Sequence, residues 1–141
     1  MEKSMYPCLW FDGDVKEAAR YYSGILKGAK ITTENQFVSM IEWNNTRLMC
    51  LNGNANSTFN ESVSLVIECD TQAEIDHYWN NFTANGGEES MCGWCKDKYG
   101  ISWQIVPAKL GQWMSDPEKF PRMMQEVMKM KKLDIAIMEK A

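Results

Sequence analysis

Histidine occurs once in these 141 residues, at His77, and proline four times. A single imidazole cannot build a multi-histidine metal centre and leaves general acid–base chemistry with few candidates. Basic charge is also short. The 15 Lys and Arg against 19 Asp and Glu give a formal net charge of -4, which provides no cationic field for nucleic acid or an anionic membrane. Long apolar runs are missing too: none approaches the roughly 20 residues needed to span a bilayer, and Met1 to Trp10 lacks the basic start and long apolar stretch of a signal peptide. The five cysteines, Cys8, Cys50, Cys69, Cys92 and Cys95, are odd in number and scattered. They suit reduced thiols better than a disulfide framework, so a cytoplasmic protein is expected. Cys92-x-x-Cys95 has no second ligand pair for zinc and does not open a helix as a thioredoxin-like pair would; it is read as strand or turn packing.

What is present is an ordinary globular composition, 45% hydrophobic and 24% charged, in a chain long enough to bury a core without disulfides. The most informative stretch runs from Cys92 to Pro107. Asp97 to Gly100 reads as a tight turn, with Gly100 free to adopt positive φ. Ile101 to Val106 is then rich in β-branched and aromatic residues, and Pro107 ends it. Gln104 is the exception in that strand: its amide is either held by neighbouring polar groups or faces a cavity, because burying it unpaired costs about 1–3 kcal/mol.

In chain order, Tyr6 to Phe11 reads as a strand, and Asp14 to Glu17 has capping-box spacing. Val15, Ala18, Ala19, Tyr22, Ile25 and Leu26 then mark one helix face that stops at Gly28. Strands are expected at Lys30 to Glu34, Phe37 to Trp43 and Arg47 to Asn52, with Asn44-Asn45 as a turn. Asn52 to Thr58 reads as a linker. The pattern then repeats: a strand at Ser62 to Glu68, capping-box spacing at Thr71 and Glu74, and a helix face at Ile75, Tyr78, Trp79 and Phe82 before Gly86-Gly87. Strands follow at Glu88 to Met91, Trp94 to Lys98 and Ile101 to Val106. Asp14 falls on Asp70, Tyr22 on Tyr78 and Leu26 on Phe82 at one common offset.

The expected fold is therefore α+β: two βαβββ units, about 5–53 and 60–107, forming a curved mixed sheet with the helices outside and a cup inside. A C-terminal helical extension occupies 108–141. There Ser115-Asp116-Pro117 starts a helix whose stripe of Phe120, Met123, Met124, Val127 and Met128 is either core or a subunit contact, and Leu133 to Met138 adds a short helical turn.

These residues resemble the vicinal oxygen chelate superfamily, the glyoxalase/bleomycin-resistance/dihydroxybiphenyl-dioxygenase fold. Within it they resemble the PhnB-like branch, commonly labelled 3-demethylubiquinone-9 3-methyltransferase. The resemblance is carried by Pro7 to Phe11 with Glu17-Ala18-Ala19 and Tyr21-Tyr22, by Leu51-Asn52-Gly53, and by Cys69 to Gln72 with Tyr78-Trp79. It is carried also by Cys92-Gly93-Trp94 through Pro107 and by Met130 to Ala136. The resemblance implies metal ligands at Pro7, Leu48, Val63 (or its neighbours Ser62 and Ser64) and Gln104. None of these is His, Asp or Glu, so no metal and no cofactor is expected.

Alternation along the strands places Leu9, Phe11, Cys50, Asn52, Leu65, Ile67, Ser102 and Gln104 in the cup, with Trp10, Leu51, Val66, Trp103 and Ile105 toward the helices. Phe11, Cys50, Asn52, Ser102 and Gln104, with Trp94 and Lys96 on the preceding strand, are the expected ligand-binding residues. The expected partner is a small molecule, with neither nucleic acid nor membrane, and the resemblance implies a homodimer. Three function classes follow: a metal-independent binding protein, a metal-independent enzyme of the superfamily, or an inert structural cup. Methyl transfer is the least supported activity, because neither strand-to-helix junction carries the glycine-rich turn of an S-adenosylmethionine site. Lys96, Asp97 and Glu42 are expected on solvated faces, and His77 is expected to be exposed on an outer helix.

Overall fold

A computed structural model describes residues 2–53 and 56–141, and the chain divides into two compact units, Met1–Thr58 and Phe59–Ala141. The linker expected at Asn52 to Thr58 includes residues 54 and 55, which lie outside the described residues.

In the first unit β1 (Cys8–Asp12) leads into α1 (Val15–Ile25), followed by β2 (Lys30–Glu34), β3 (Val38–Trp43) and β4 (Thr46–Gly53). Asp14 starts α1 by accepting a hydrogen bond from the Lys16 backbone N–H at 2.8 Å. Val15, Ala18, Ala19, Tyr22 and Ile25 form its buried stripe. The helix stops where Leu26 turns extended and Gly28 takes φ +84. Sheet order is β1-β4-β3-β2, with β1 parallel to β4 and the other pairs antiparallel.

The second unit repeats this order: β5 (Ser64–Cys69), α2 (Gln72–Thr83), β6 (Glu88–Glu89), β7 (Trp94–Lys96) and β8 (Ser102–Pro107). Its sheet runs β5-β8-β7-β6, with β5 parallel to β8. Thr71 caps α2, its hydroxyl accepting from the Glu74 N–H, while the Glu74 carboxylate reaches back to accept from the Asp70 N–H one residue before the cap, a variant of the capping box. The two helices therefore correspond from Asp14 to Thr71, which sets Tyr22 on Trp79 and Ile25 on Phe82, one residue beyond the offset read from sequence. The expected strand at Glu88 to Met91 shrinks to two residues. Cys92 and Gly93 both have positive φ, and their N–H groups bond to the carbonyls of Met130 and Lys131 instead of to a strand.

Beyond β8 lie α3 (Leu110–Met114), which the sequence pattern did not signal, α4 (Lys119–Val127) and α5 (Ile135–Lys140). Asp116 launches α4, its carboxylate accepting from the N–H groups of Glu118 and Lys119 and lying below its ordinary pKa because of those bonds. Met123, Val127, Leu133 and Met138 pack with Val106 and Trp113 into a small core, joined by the half-buried Phe120 and Met124. Met128, at the helix end, is 66% exposed. The stripe is thus mostly internal to the second unit. The Gln72 amide fastens it to α2 by donating to the Leu133 carbonyl and accepting from the Ile135 N–H, and Lys132 pairs with Asp76 at 3.2 Å.

Candidate functional site

Each sheet has a face packed on its own helix and an open face. In the first unit Leu9 and Phe11 alternate with exposed Cys8, Trp10 and Asp12, and the Phe11 ring lies 6.3 Å from that of Tyr22 on α1. The register pairs Leu9 with Cys50 and Phe11 with Asn52, so Cys50 shares the α1 face, and the Asn52 amide at the strand end donates to the Gln36 carbonyl. Phe11 and Cys50 are therefore core beneath α1, and Trp10 and Leu51 occupy the opposite face, the reverse of the expected alternation. In the second unit Ile67 is buried on the α2 side while Val66 is 55% exposed, again the reverse, and Leu65 shares the face of Ile67. Trp103 and Ile105 do point at α2 as expected, with Trp103 stacked on Phe82 at 4.2 Å.

The other four expected site residues come together. Register sets Lys96, Ser102 and Ser64 in one row across β7, β8 and β5, and Trp94, Gln104 and Val66 in the next row on the same open face. Gln104 donates to the Ser64 hydroxyl at 2.9 Å, so its amide is held across the sheet. Ser102 is 1% exposed, and its hydroxyl has no partner among the described residues.

A cleft of about 550 Å³ opens above this face, lined by Ser102, Lys96, Trp94, Met91, Cys92 and a carboxylate rim of Glu61, Glu88 and Glu89. Lys96 pairs with Glu61 at 3.3 Å; the Glu61 carboxyl lies below its ordinary pKa through its own backbone N–H first and Lys96 second. Glu61 lies in an aperiodic segment before β5, and nothing in the sequence ties it to Lys96. Its place in the cleft is a product of the fold.

Asp97 is not on a solvated rim. It is 2% exposed and holds the β7–β8 turn, accepting from the N–H groups of Tyr99 and Ile101 and from the Trp103 indole. His77 is half-buried rather than exposed, edge-on to Tyr78 at 4.9 Å.

Chemically the cleft offers hydrogen bonds and apolar contact, with the free, half-buried Cys92 in its wall. Burial pushes the Cys95 thiol up to about 12, with Asp97 and Glu89 adding to the rise, and burial likewise takes Cys50 to about 12. A protonated thiol is a poor nucleophile. All five cysteines are free. Nor do the residues suit the divalent ion the resemblance implies. Leu48 is buried on the α1 face, Val63 is an exposed valine and the Gln104 amide is engaged by Ser64. Among the described residues no group of three or more His, Cys, Asp or Glu could hold a metal ion.

A family model described as 3-demethylubiquinone-9 3-methyltransferase matches residues 3–106. Among solved structures the chain is similar to a PhnB protein from Bacillus cereus, with 24% identity and TM-score 0.66 over 74% of this chain and 99% of that one. It is similar also to a glyoxalase-related enzyme from Fulvimarina pelagi, with 19% identity and TM-score 0.56 over 74% of this chain and 87% of that one. A third is the fosfomycin resistance protein FosX from Mesorhizobium loti, with 11% identity and TM-score 0.60 over 82% of this chain and the whole of that one. At these identities the likeness is one of fold. No curated protein matches the chain.

Proposed function

The chain belongs to the 3-demethylubiquinone-9 3-methyltransferase family, the PhnB-like branch of the glyoxalase/bleomycin-resistance fold, and from that premise we propose that it binds a small molecule without a metal ion, in the cleft over β7 and β8. The observation that carries this is the Ser102 hydroxyl: nearly inaccessible, unpartnered, and part of the wall of a 550 Å³ cleft. A buried hydroxyl left unsatisfied costs about 1–3 kcal/mol, a cost that a ligand hydrogen bond removes. The volume lies within the range of small-molecule sites, about 300–1,000 Å³, and Trp94 and Met91 supply the apolar walls. Binding is favoured over catalysis because burial holds the Cys95 thiol protonated and no imidazole lines the cleft among the described residues. Methyl transfer has the least support, since neither strand-to-helix junction has the glycine-rich turn for S-adenosylmethionine.

The test is a metabolite panel followed by NMR of the Ser102 and Lys96 amides and the Trp94 indole, with and without a chelator. The expected result is a compound that shifts all three signals with the chelator present and binds Ser102→Ala about tenfold more weakly, about 1.4 kcal/mol. Binding that disappears with the chelator overturns the metal-free reading, and binding indifferent to Ser102→Ala overturns the site. The protein is further proposed to be a cytoplasmic homodimer. Support for the location is the set of five free thiols, and no helix among the described residues is long and apolar enough to cross a membrane.

A further inference from the structure

A second cavity lies against the same sheet face, and its roof lies outside the matched family span of residues 3–106. It measures about 200 Å³ and sits between Trp94, Gln104 and Val106 below and the apolar side chains of α3, α4 and the chain beyond, Met124, Leu133 and Met138 among them. Cys92 and Trp94 line both this cavity and the larger cleft, so the two chambers share a wall. The polar group in the smaller chamber is Gln104. Its amide nitrogen is engaged by Ser64 at 2.9 Å.

The two chambers are arranged by strand register. Ser102 and Gln104 lie two residues apart on one face of β8, about 7 Å along the strand. Ser102 lines the cleft and Gln104 the smaller cavity. Along that line the surface changes from Lys96, Ser102 and Ser64 to Trp94, Gln104 and Val66, and then to Val106 beneath the C-terminal helices.

Resting on the cleft reading above, we infer that the ligand is amphiphilic: a hydroxyl-bearing head without negative charge lies at Ser102, and an apolar end the size of one aromatic ring passes Trp94 into the chamber roofed by α3 to α5. The size follows from volume, because a dry apolar cavity of about 150 Å³ accommodates benzene. Methionine walls suit such a guest, since the thioether is flexible and makes favourable contacts with rings. The head carries no negative charge because the cleft sets Glu61 and Glu88 against Lys96, which is already paired, while the Glu89 carboxylate is held by the Trp79 indole and Lys131. A carboxylate head would meet net repulsion and would have to break that pair.

The probes are 4-phenylbutan-1-ol, its carboxylate counterpart 4-phenylbutyrate, and butan-1-ol as a head without the ring. They are titrated into full-length protein carrying 13C-methyl methionine and 15N. Phenylbutanol is expected to shift the methyl signals of Met124 and Met138, the Trp94 indole and the Ser102 amide together, leaving Met128 unmoved. It should bind at least tenfold more tightly than either comparator. Filling the chamber with Met124→Trp should abolish that advantage over butanol. If butanol shifts Ser102 and Lys96 but phenylbutanol leaves the Met124 and Met138 methyls in place, the inference fails and the cleft reading stands. Methyl shifts without any change at Ser102 or Lys96 leave an isolated apolar cavity, which overturns both. Equal or tighter binding of phenylbutyrate overturns the exclusion of an anionic head. Since the wild-type shifts decide the matter, a Met124→Trp chain that fails to fold does not rescue the inference.

Discussion

At the scale of single residues, Asp97 and the thiols carry the sharpest consequences. Both oxygens of Asp97 are engaged, Oδ1 by the Tyr99 and Ile101 N–H groups at 2.9 and 3.1 Å and Oδ2 by the Trp103 indole at 2.9 Å. Removing them strands three donors where the surroundings are dry. Asp97→Ala should therefore cost about 3 kcal/mol, seen as a lower denaturation midpoint at unchanged slope. A loss below about 1 kcal/mol would mean that water reaches those donors.

The buried thiols predict pH dependence. Cys50 and Cys95 rise from an ordinary value of 9.0 to about 12 in the fold, so between those limits the folded state holds protons that the unfolded chain releases. Their contribution to stability is complete below pH 9 and is lost as pH climbs toward 12. A urea midpoint that rises across that window would contradict this. In native protein at pH 8, iodoacetamide should modify Cys8 and Cys92 ahead of Cys50, Cys69 and Cys95, which mass spectrometry of the digest resolves.

At the scale of elements, the helices after β8 are held to α2 by one side chain more than by area. Gln72 both donates to the Leu133 carbonyl and accepts from the Ile135 N–H, with Lys132–Asp76 beside it. Gln72→Ala should loosen 130–141 as a unit. The expected outcome is at least tenfold faster amide exchange there, about 1.4 kcal/mol of local opening, with protection in β5 and β8 unchanged. Equal loss throughout the second unit would show that these helices and the sheet unfold together. The elements themselves were legible because their signals are local. Asp14 and Thr71 were readable as helix starts, β2 was placed to the residue, and Gly100, at φ +88, closes the expected turn. β6 was misread because what shortens it is a pair of hydrogen bonds to Met130 and Lys131, nearly forty positions away.

At the scale of the whole molecule, the proposed homodimer has support in apolar side chains left open on the single chain, among them Met128, Phe37 and Trp10. Light scattering at micromolar concentration should return about twice the 16.3 kDa chain mass. Met128→Lys separates the roles of α4. Because Met128 is exposed, the substitution should leave the fold intact, and conversion to a monomer would place the interface on that helix. A native monomer ends the dimer proposal.

The amino-acid sequence by itself determined the repeated strand-helix-strand-strand-strand order, the caps and turns that bound its elements, and the family. Each of these depends on residue types at short separations, and local backbone chemistry responds to them directly. Which face of each strand met the helix was decided only by the tertiary structure. Leu9-Trp10-Phe11 and Leu65-Val66-Ile67 are apolar at every position, and the polar residues that share the outer faces of Trp10 and Val66, Asp12 in one strand and Ser64 with Glu68 in the other, stand only at the strand ends, where a shift of one residue exchanges the faces. That is why Phe11 and Cys50 were read into a cavity and lie beneath α1. In β8, Ser102 and Gln104 break the apolar run on one face, and there the expected orientation agrees with the structure. The carboxylate rim and the methionine-lined chamber were beyond the sequence for a different reason: Glu61 meets Lys96, and Met124 and Met138 meet the β8 face, through separations that only packing closes.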